Sequence, residues 1–210
     1  MLDTWINRWR EGRIGWHEAD GSALLRRHWP RLVRGSRVLV PFCGKSVDLL
    51  WLAAQGLQVT GVEISDIAAR SFFDENDLEY DVASGDRMQV YGARSAPIRI
   101  CCGDYFEFED SPFESLFDRG ALVAVAPEDR GRYIAKTNAL LSDDAFRLVI
   151  TLTYDQTVVA GPPWSISDEE LLDHWSDLTC VQSRNDIDTG SPKFKAAGLG
   201  EVTESVWTSV

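Results

Sequence analysis

Basic residues are in the minority in this chain of 210 residues, with 21 Lys and Arg against 33 Asp and Glu for a formal charge of −12. A surface built to neutralise phosphate backbones carries the opposite sign, so no nucleic acid partner is expected. The one basic concentration, Arg26 to Arg37, reads as ordinary helix surface. Cysteine is equally sparse: Cys43, Cys101, Cys102 and Cys180, with no CxxC pair. Adjacent Cys101 and Cys102 would point to opposite faces of a strand. Neither a disulfide framework nor a metal site is expected, and the thiols read as free and buried in a reducing cytoplasm. No apolar run approaches the roughly 20 residues that cross a bilayer. The start, Met1-Leu2-Asp3-Thr4-Trp5, lacks the basic residues and apolar stretch of a secretion signal. Neither membrane insertion nor export is expected.

What is present is ordinary globular composition, 44% apolar and 26% charged, long enough for one well-buried domain over residues 1–210. Residues 3–10 and 21–29 read as helices in a Trp-rich N-terminal extension (1–30) that sits apart as a lid. Apolar strands follow at 37–40, 58–63, 98–102, 116–122 and 146–152. Helical segments separate them at 46–55, from Ser65 to about Asn76, and from Pro127 to Leu141. Residues 80–91 read as a small hairpin. Ser167 with Glu170 three residues later reads as a capping box, and 179–186 with 201–208 as a final antiparallel pair. Alternating strands and helices imply an α/β fold with a doubly wound, mostly parallel sheet and an antiparallel edge hairpin.

The chemistry concentrates at two strand ends. Arg37-Val38-Leu39-Val40-Pro41-Phe42-Cys43-Gly44-Lys45-Ser46 is a short apolar strand that breaks into a turn at Gly44, and 21 positions after Phe42 stands Glu63, at the tip of Val59-Thr60-Gly61-Val62-Glu63. This is the layout of a nucleotide-type cofactor site: amides of the first turn approach the ligand, and the acid after the second strand accepts hydrogen bonds from ribose hydroxyls. Position 39 is Leu where a triphosphate loop needs a glycine, and the turn lacks the spaced glycines of a dinucleotide site. A glycine-poor first turn suits a ligand without phosphates. Gly103-Asp104, after the third strand, either caps a helix or reads the edge of an adenine. Arg119, at the end of the fourth strand, either pairs with Asp118 or faces the ligand crevice. Trp5, Trp9, Trp16 and Trp164 are either core or cover for a flat, apolar substrate.

With these residues in place, the chain resembles the thiopurine S-methyltransferases, a branch of the seven-strand Rossmann-like S-adenosylmethionine-dependent methyltransferases. The resemblance runs nearly end to end. It rests on Trp5-Ile6-Asn7-Arg8-Trp9 with Gly15-Trp16-His17, on Val40 to Ser46, and on Gly61-Val62-Glu63-Ile64-Ser65. It continues through Cys102-Gly103-Asp104, Asp118 to Leu122, Tyr154-Asp155 and Gly161-Pro162-Pro163. The resemblance implies S-adenosyl-L-methionine as cofactor, contacted by Trp9, Phe42, Glu63, Gly103, Asp104 and Arg119 with Gly44 in the first turn, and Trp16 beside the acceptor. The family often has Leu at position 42 and Phe at positions 16 and 164, so larger side chains here alter the acceptor pocket.

On this basis the expected reaction is methyl transfer to the sulfur of a thiopurine or similar heteroaromatic thiol, giving S-adenosyl-L-homocysteine, in a cytoplasmic monomer without metal. Arg119 would favour the anionic acceptor, Trp16 and Trp164 would enclose it, and His17 either shuttles a proton or is structural. Selenium or tellurium species, small aliphatic thiols, an O- or N-methyl acceptor, and a cofactor sensor without catalysis stand as alternatives.

Overall fold

The computed structural model describes residues 2–15, 17–85, 87–110 and 112–209. Its centre is five parallel strands: β1 (Arg37–Pro41), β2 (Gln58–Glu63), β5 (Ile98–Cys102), β6 (Phe113–Arg119) and β7 (Leu141–Thr153). β3 (Tyr80–Ser84) and β4 (Gln89–Ala93) add antiparallel to β5. At the other edge β8 (Leu178–Asn185) pairs with β9 (Thr203–Ser209), and β9 lies antiparallel to β7. The order is β3-β4-β5-β2-β1-β6-β7-β9-β8, a nine-stranded sheet. The expected seven strands are therefore all in one sheet, and the 80–91 hairpin extends it by two more. Tyr91 explains the addition: it is fully buried, stacks on Phe73 at 6.5 Å, and sits opposite Ile100 on the otherwise unpaired edge of β5.

Alternation along β1 shows why both faces need helices. Leu39 belongs to one core cluster, while Val38 and Val40 belong to the other. Tyr133 and Ile134 of α5 (Arg130–Leu140) and Leu171 of α6 (Asp168–His174) cover the Leu39 side. The opposite side packs Leu24 and Leu25 of α2 (Ala23–His28), Leu49 and Leu52 of α3 (Asp48–Ala54), and Phe72 and Phe73 of α4 (Asp66–Glu75). Ser65 and Ser167 cap α4 and α6 as expected, accepting from Ala68 N and Glu170 N. The Glu170 carboxylate is held by Arg130 (2.6 Å to Oε2).

Strands β6 and β7 depart most from expectation. β6 stops at Arg119 rather than Leu122 because the Asp118 carboxylate accepts from the amides of Ala121 (3.2 Å) and Leu122 (3.0 Å), turning the chain into a 3₁₀ turn. β7 is longer than its apolar stretch, starting at Leu141 directly after α5. The cysteines also divide: Cys43 and Cys101 are buried, Cys102 is partly so, and Cys180 is exposed because β8 is an edge strand.

The chain visits β2 and β5 on one side of β1, then returns to β6 on the other. The crevice this reversal opens at the carboxyl ends of β1 and β6 is where ligands bind in such sheets.

Candidate active site

A cleft of about 610 Å³ lies at that crevice, walled by Trp9, Phe42, Glu63, Gly103, Asp104 and Arg119 together with His17. The volume is within the range of small-molecule sites. Beyond Pro41 the backbone enters the left-handed region twice, at Phe42 (φ +47°) and Gly44 (φ +54°). For a bulky residue this conformation is strained, and the surroundings must hold it. Here the Phe42 ring is gripped edge-on by Tyr105 (5.5 Å) and Tyr133 (5.8 Å). The turn aims the Gly44 amide at Glu63 Oε2, 2.9 Å away. Gly44 itself is not part of the cleft wall. A Cβ there would stand 3.2 Å from Trp9 Cζ2, so the indole from α1 (Leu2–Arg10) lies directly over the glycine. Gly44 serves the site by orienting Glu63 and seating Trp9.

Glu63 is buried, and its second oxygen, Oε1, accepts from the Ser65 amide at 2.9 Å. Burial raises its pKa, and the two amides work against that rise. A carboxylate oxygen has two lone pairs, so each can still accept from a hydroxyl. Next to it, the Gly103 amide donates to the Glu63 carbonyl (2.8 Å), and a Cβ on Gly103 would press within 2.8 Å of Met88 Cγ. Asp104 is a cap and also a wall residue. Its Oδ1 accepts from Phe106 N at 3.0 Å, capping the turn Tyr105–Glu107, while the residue lines the cleft.

Arg119 faces the crevice; Asp118 points the other way. Asp118 is wholly buried, accepts from Tyr133 Oη at 2.7 Å as well as from the two amides, and burial lifts its pKa to about 6. Successive residues of a strand project to opposite faces, which rules out the local ion pair. The guanidinium of Arg119 instead meets Glu18, Nη2 to Oε1 at 2.5 Å, bridging β6 to the N-terminal segment. His17 is half-buried in the same wall. Desolvation lowers its pKa, with Lys45 and Arg119 adding to the effect and Glu75 and Asp48 opposing it.

Trp164 does not line the cleft. Its indole packs on Gly161 and its amide donates to Val123 O (2.6 Å), leaving Pro162 and Pro163 as the wall. Trp16 lies outside the described residues. Several wall residues escape a reading of the sequence: Tyr105, Arg184, Asp186, Lys193 and Glu204. Glu204 and Arg184 sit opposite one another on β9 and β8 (2.7 Å), and Lys193, on α7 (Pro192–Ala196), bonds Pro162 O at 2.7 Å. Only the insertion of β9 between β7 and β8 brings this C-terminal set beside the carboxyl end of β6. A charged residue in a strand otherwise built for burial was the one available signal.

The arrangement puts a buried acid and aromatic walls at one end of the cleft and a charged chamber at the other. Comparison with known proteins agrees. The family model described as Thiopurine S-methyltransferase (TPMT) matches residues 1–209. A thiopurine S-methyltransferase from Pseudomonas putida is 41% identical over 209 residues, 97% of this chain and 96% of the relative. One from Bordetella pertussis is 38% identical over 212 residues, covering 98% and 96%. Among solved structures, the 1,6-didemethyltoxoflavin-N1-methyltransferase of Burkholderia thailandensis, with S-adenosylhomocysteine bound, superposes with a TM-score of 0.64 at 21% identity, covering 100% of this chain and 87% of that one. A TehB-like SAM-dependent methyltransferase from Corynebacterium glutamicum gives 0.56 at 16% identity, covering 100% and 98%. Those two likenesses carry the fold, and the near-complete match to the relatives carries the family: this chain belongs to the thiopurine S-methyltransferases.

Proposed function

We propose that this protein transfers the methyl group of S-adenosyl-L-methionine to the sulfur of a thiopurine or another aromatic or heterocyclic thiol, leaving S-adenosyl-L-homocysteine. The observation that carries the reading, in a chain of this family, is Glu63: a buried carboxylate at the end of β2, fixed by two amides and open to further donors in the cleft. The residues present fit an adenosine. Glu63 would take the ribose hydroxyls, Trp9 and Phe42 supply apolar walls, and Gly103 with Asp104 forms the corner for the base.

Bound there, S-adenosyl-L-methionine supplies a methyl carbon made electrophilic by a positively charged sulfur. The work left to the chain is alignment and exclusion of water, and alignment of this kind contributes on the order of 7–11 kcal/mol. Helix α1, with Trp5 and Trp9 in the wall, roofs the cleft. A thiol ionises near pH 8.5 unaided, so no dedicated base is needed. Arg119 would favour the anionic sulfur, and His17 in the same wall is the candidate to pass its proton on. Among the described residues no helix is long and apolar enough to cross a membrane. We place the protein in the cytoplasm, as a monomer acting on a diffusible thiol.

The test is turnover of labelled cofactor with a panel of aromatic thiols, together with calorimetric binding of S-adenosylhomocysteine. Arg119→Ala should lower turnover more than tenfold while product affinity changes less than threefold. Equal losses would assign Arg119 to cofactor binding alone, and binding without methylation of any thiol would replace the enzyme by a sensor.

A further inference from the structure

The acceptor end of the cleft is charged, and both of its strand arginines are paired. Arg119 meets Glu18 at 2.5 Å, and Arg184 meets Glu204 at 2.7 Å and Asp186 at 3.3 Å. The four partners of the two main pairs come from the N-terminal segment, β6, β8 and β9, and all line the one cleft. The pairs also feel each other: burial raises the pKa of Glu204, a rise that Arg184 and then Arg119 oppose, and Glu18 reinforces the charge of Arg184. Around the whole wall, six carboxylates face five Lys and Arg side chains. Such a wall welcomes a positively charged sulfonium; Lys193, also in the wall, is bonded to the carbonyls of Ala160 and Pro162. Within its pair Glu18 is the more exposed partner, with side-chain accessibility of 47% against 24% for Arg119. It is thus the half of that pair a ligand could displace more readily.

We infer that Glu18 sets the acceptor's charge class: by holding the Arg119 guanidinium it makes the site favour uncharged heteroaromatic thiols over thiols that carry a carboxylate. Glu18 acts through Arg119 and is a specificity residue rather than a catalytic one. A carboxylate-bearing acceptor must either break the 2.5 Å pair and leave Glu18 without its counter-ion, or sit beside it and be repelled. The thiolate is one diffuse charge on the reacting sulfur, for which a half-neutralised Arg119 is sufficient, whereas a carboxylate adds a second, fixed one. This inference rests on the methyltransferase reading above.

The experiment compares 2-mercaptobenzoate with its uncharged isostere 2-mercaptobenzamide in the wild type, Glu18→Gln and Glu18→Asp. Gln keeps a hydrogen-bond acceptor for Arg119 and removes only the charge; Asp keeps the charge. In Glu18→Gln the ratio of kcat/KM for benzoate over benzamide should rise roughly five- to tenfold, the size expected of one partly exposed charge at close range. The gain should appear in KM, with product affinity within twofold of wild type, and Glu18→Asp should retain the wild-type ratio. An unchanged ratio in Glu18→Gln, an equal loss on both thiols, or the same rise in Glu18→Asp would each overturn the inference, because each makes Glu18 a structural latch. Benzoate itself, which has no thiol, gives a second readout by calorimetry against the product complex. It should bind Glu18→Gln about fivefold more tightly, and unchanged binding counts against Glu18 even if neither thiol is methylated. Failure of methylation alone bears on the reaction and not on Glu18.

Discussion

Replacing Glu63 by Gln isolates the group proposed to grip the cofactor's ribose. The carboxylate makes two bonds inward, to the amides of Gly44 and Ser65, each 2.9 Å. Gln matches the shape but has only one acceptor, so one amide would face an NH₂ donor, which costs about 1–3 kcal/mol of stability. The ligand-side loss adds to that. A hydroxyl bonded to a charged acceptor contributes about 2 kcal/mol, so weakening one ribose bond raises Kd roughly 30-fold, and losing both raises it several-hundredfold. Ala would be a poor choice, since it orphans both amides and confounds binding with folding. The assay is titration calorimetry with S-adenosylhomocysteine on wild type and Glu63→Gln, paired with urea denaturation to show that the variant is folded at the titration temperature. A folded Glu63→Gln protein that binds within twofold of wild type would remove the acid from the site, and the account of the cleft with it.

At Phe42 the usual order of substitutions should invert. Gly relieves a left-handed backbone that costs a non-glycine residue about 1–2 kcal/mol, so Phe42→Gly should have a higher urea midpoint than Phe42→Ala, although both lose the ring between Tyr105 and Tyr133. Ala equal to or better than Gly would show that the turn does not need that conformation. Asp118 makes a pH prediction. Its folded pKa, about 6, exceeds the usual 3.8, so its contribution to stability is fully present below the unfolded value and is lost as pH rises through 6. Between pH 5 and 7.5 the wild type should therefore lose about 1.4 kcal/mol relative to Asp118→Asn, read from paired denaturation curves. A constant gap between the two proteins over that interval would contradict the assignment.

Sequence alone determined the elements that depend on local pattern. The apolar runs at β1, β2 and β5, the Ser65 and Ser167 caps, and the pairing of a first turn with an acid 21 residues on are all set by neighbours in the chain, where periodicity and turn chemistry operate. That was enough to place Glu63, Phe42, Asp104 and Arg119 in one cleft, since strand ends in a doubly wound sheet converge whatever lies between them. Tertiary structure decided what depends on long-range register. The 80–91 hairpin reads as weak alternation until Tyr91 finds Phe73 and Ile100. Trp164 resembles a pocket aromatic until its indole folds onto Gly161, and Gly44 a ligand contact until Trp9 covers it. The choice of Glu18 over Asp118 as a partner for Arg119 spans 101 residues, and the Arg184–Glu204 pair needs β9 to slot between β7 and β8. Charges find partners by proximity in space, and the pattern along a chain records only which face a residue turns to, not which distant side chain will be waiting there.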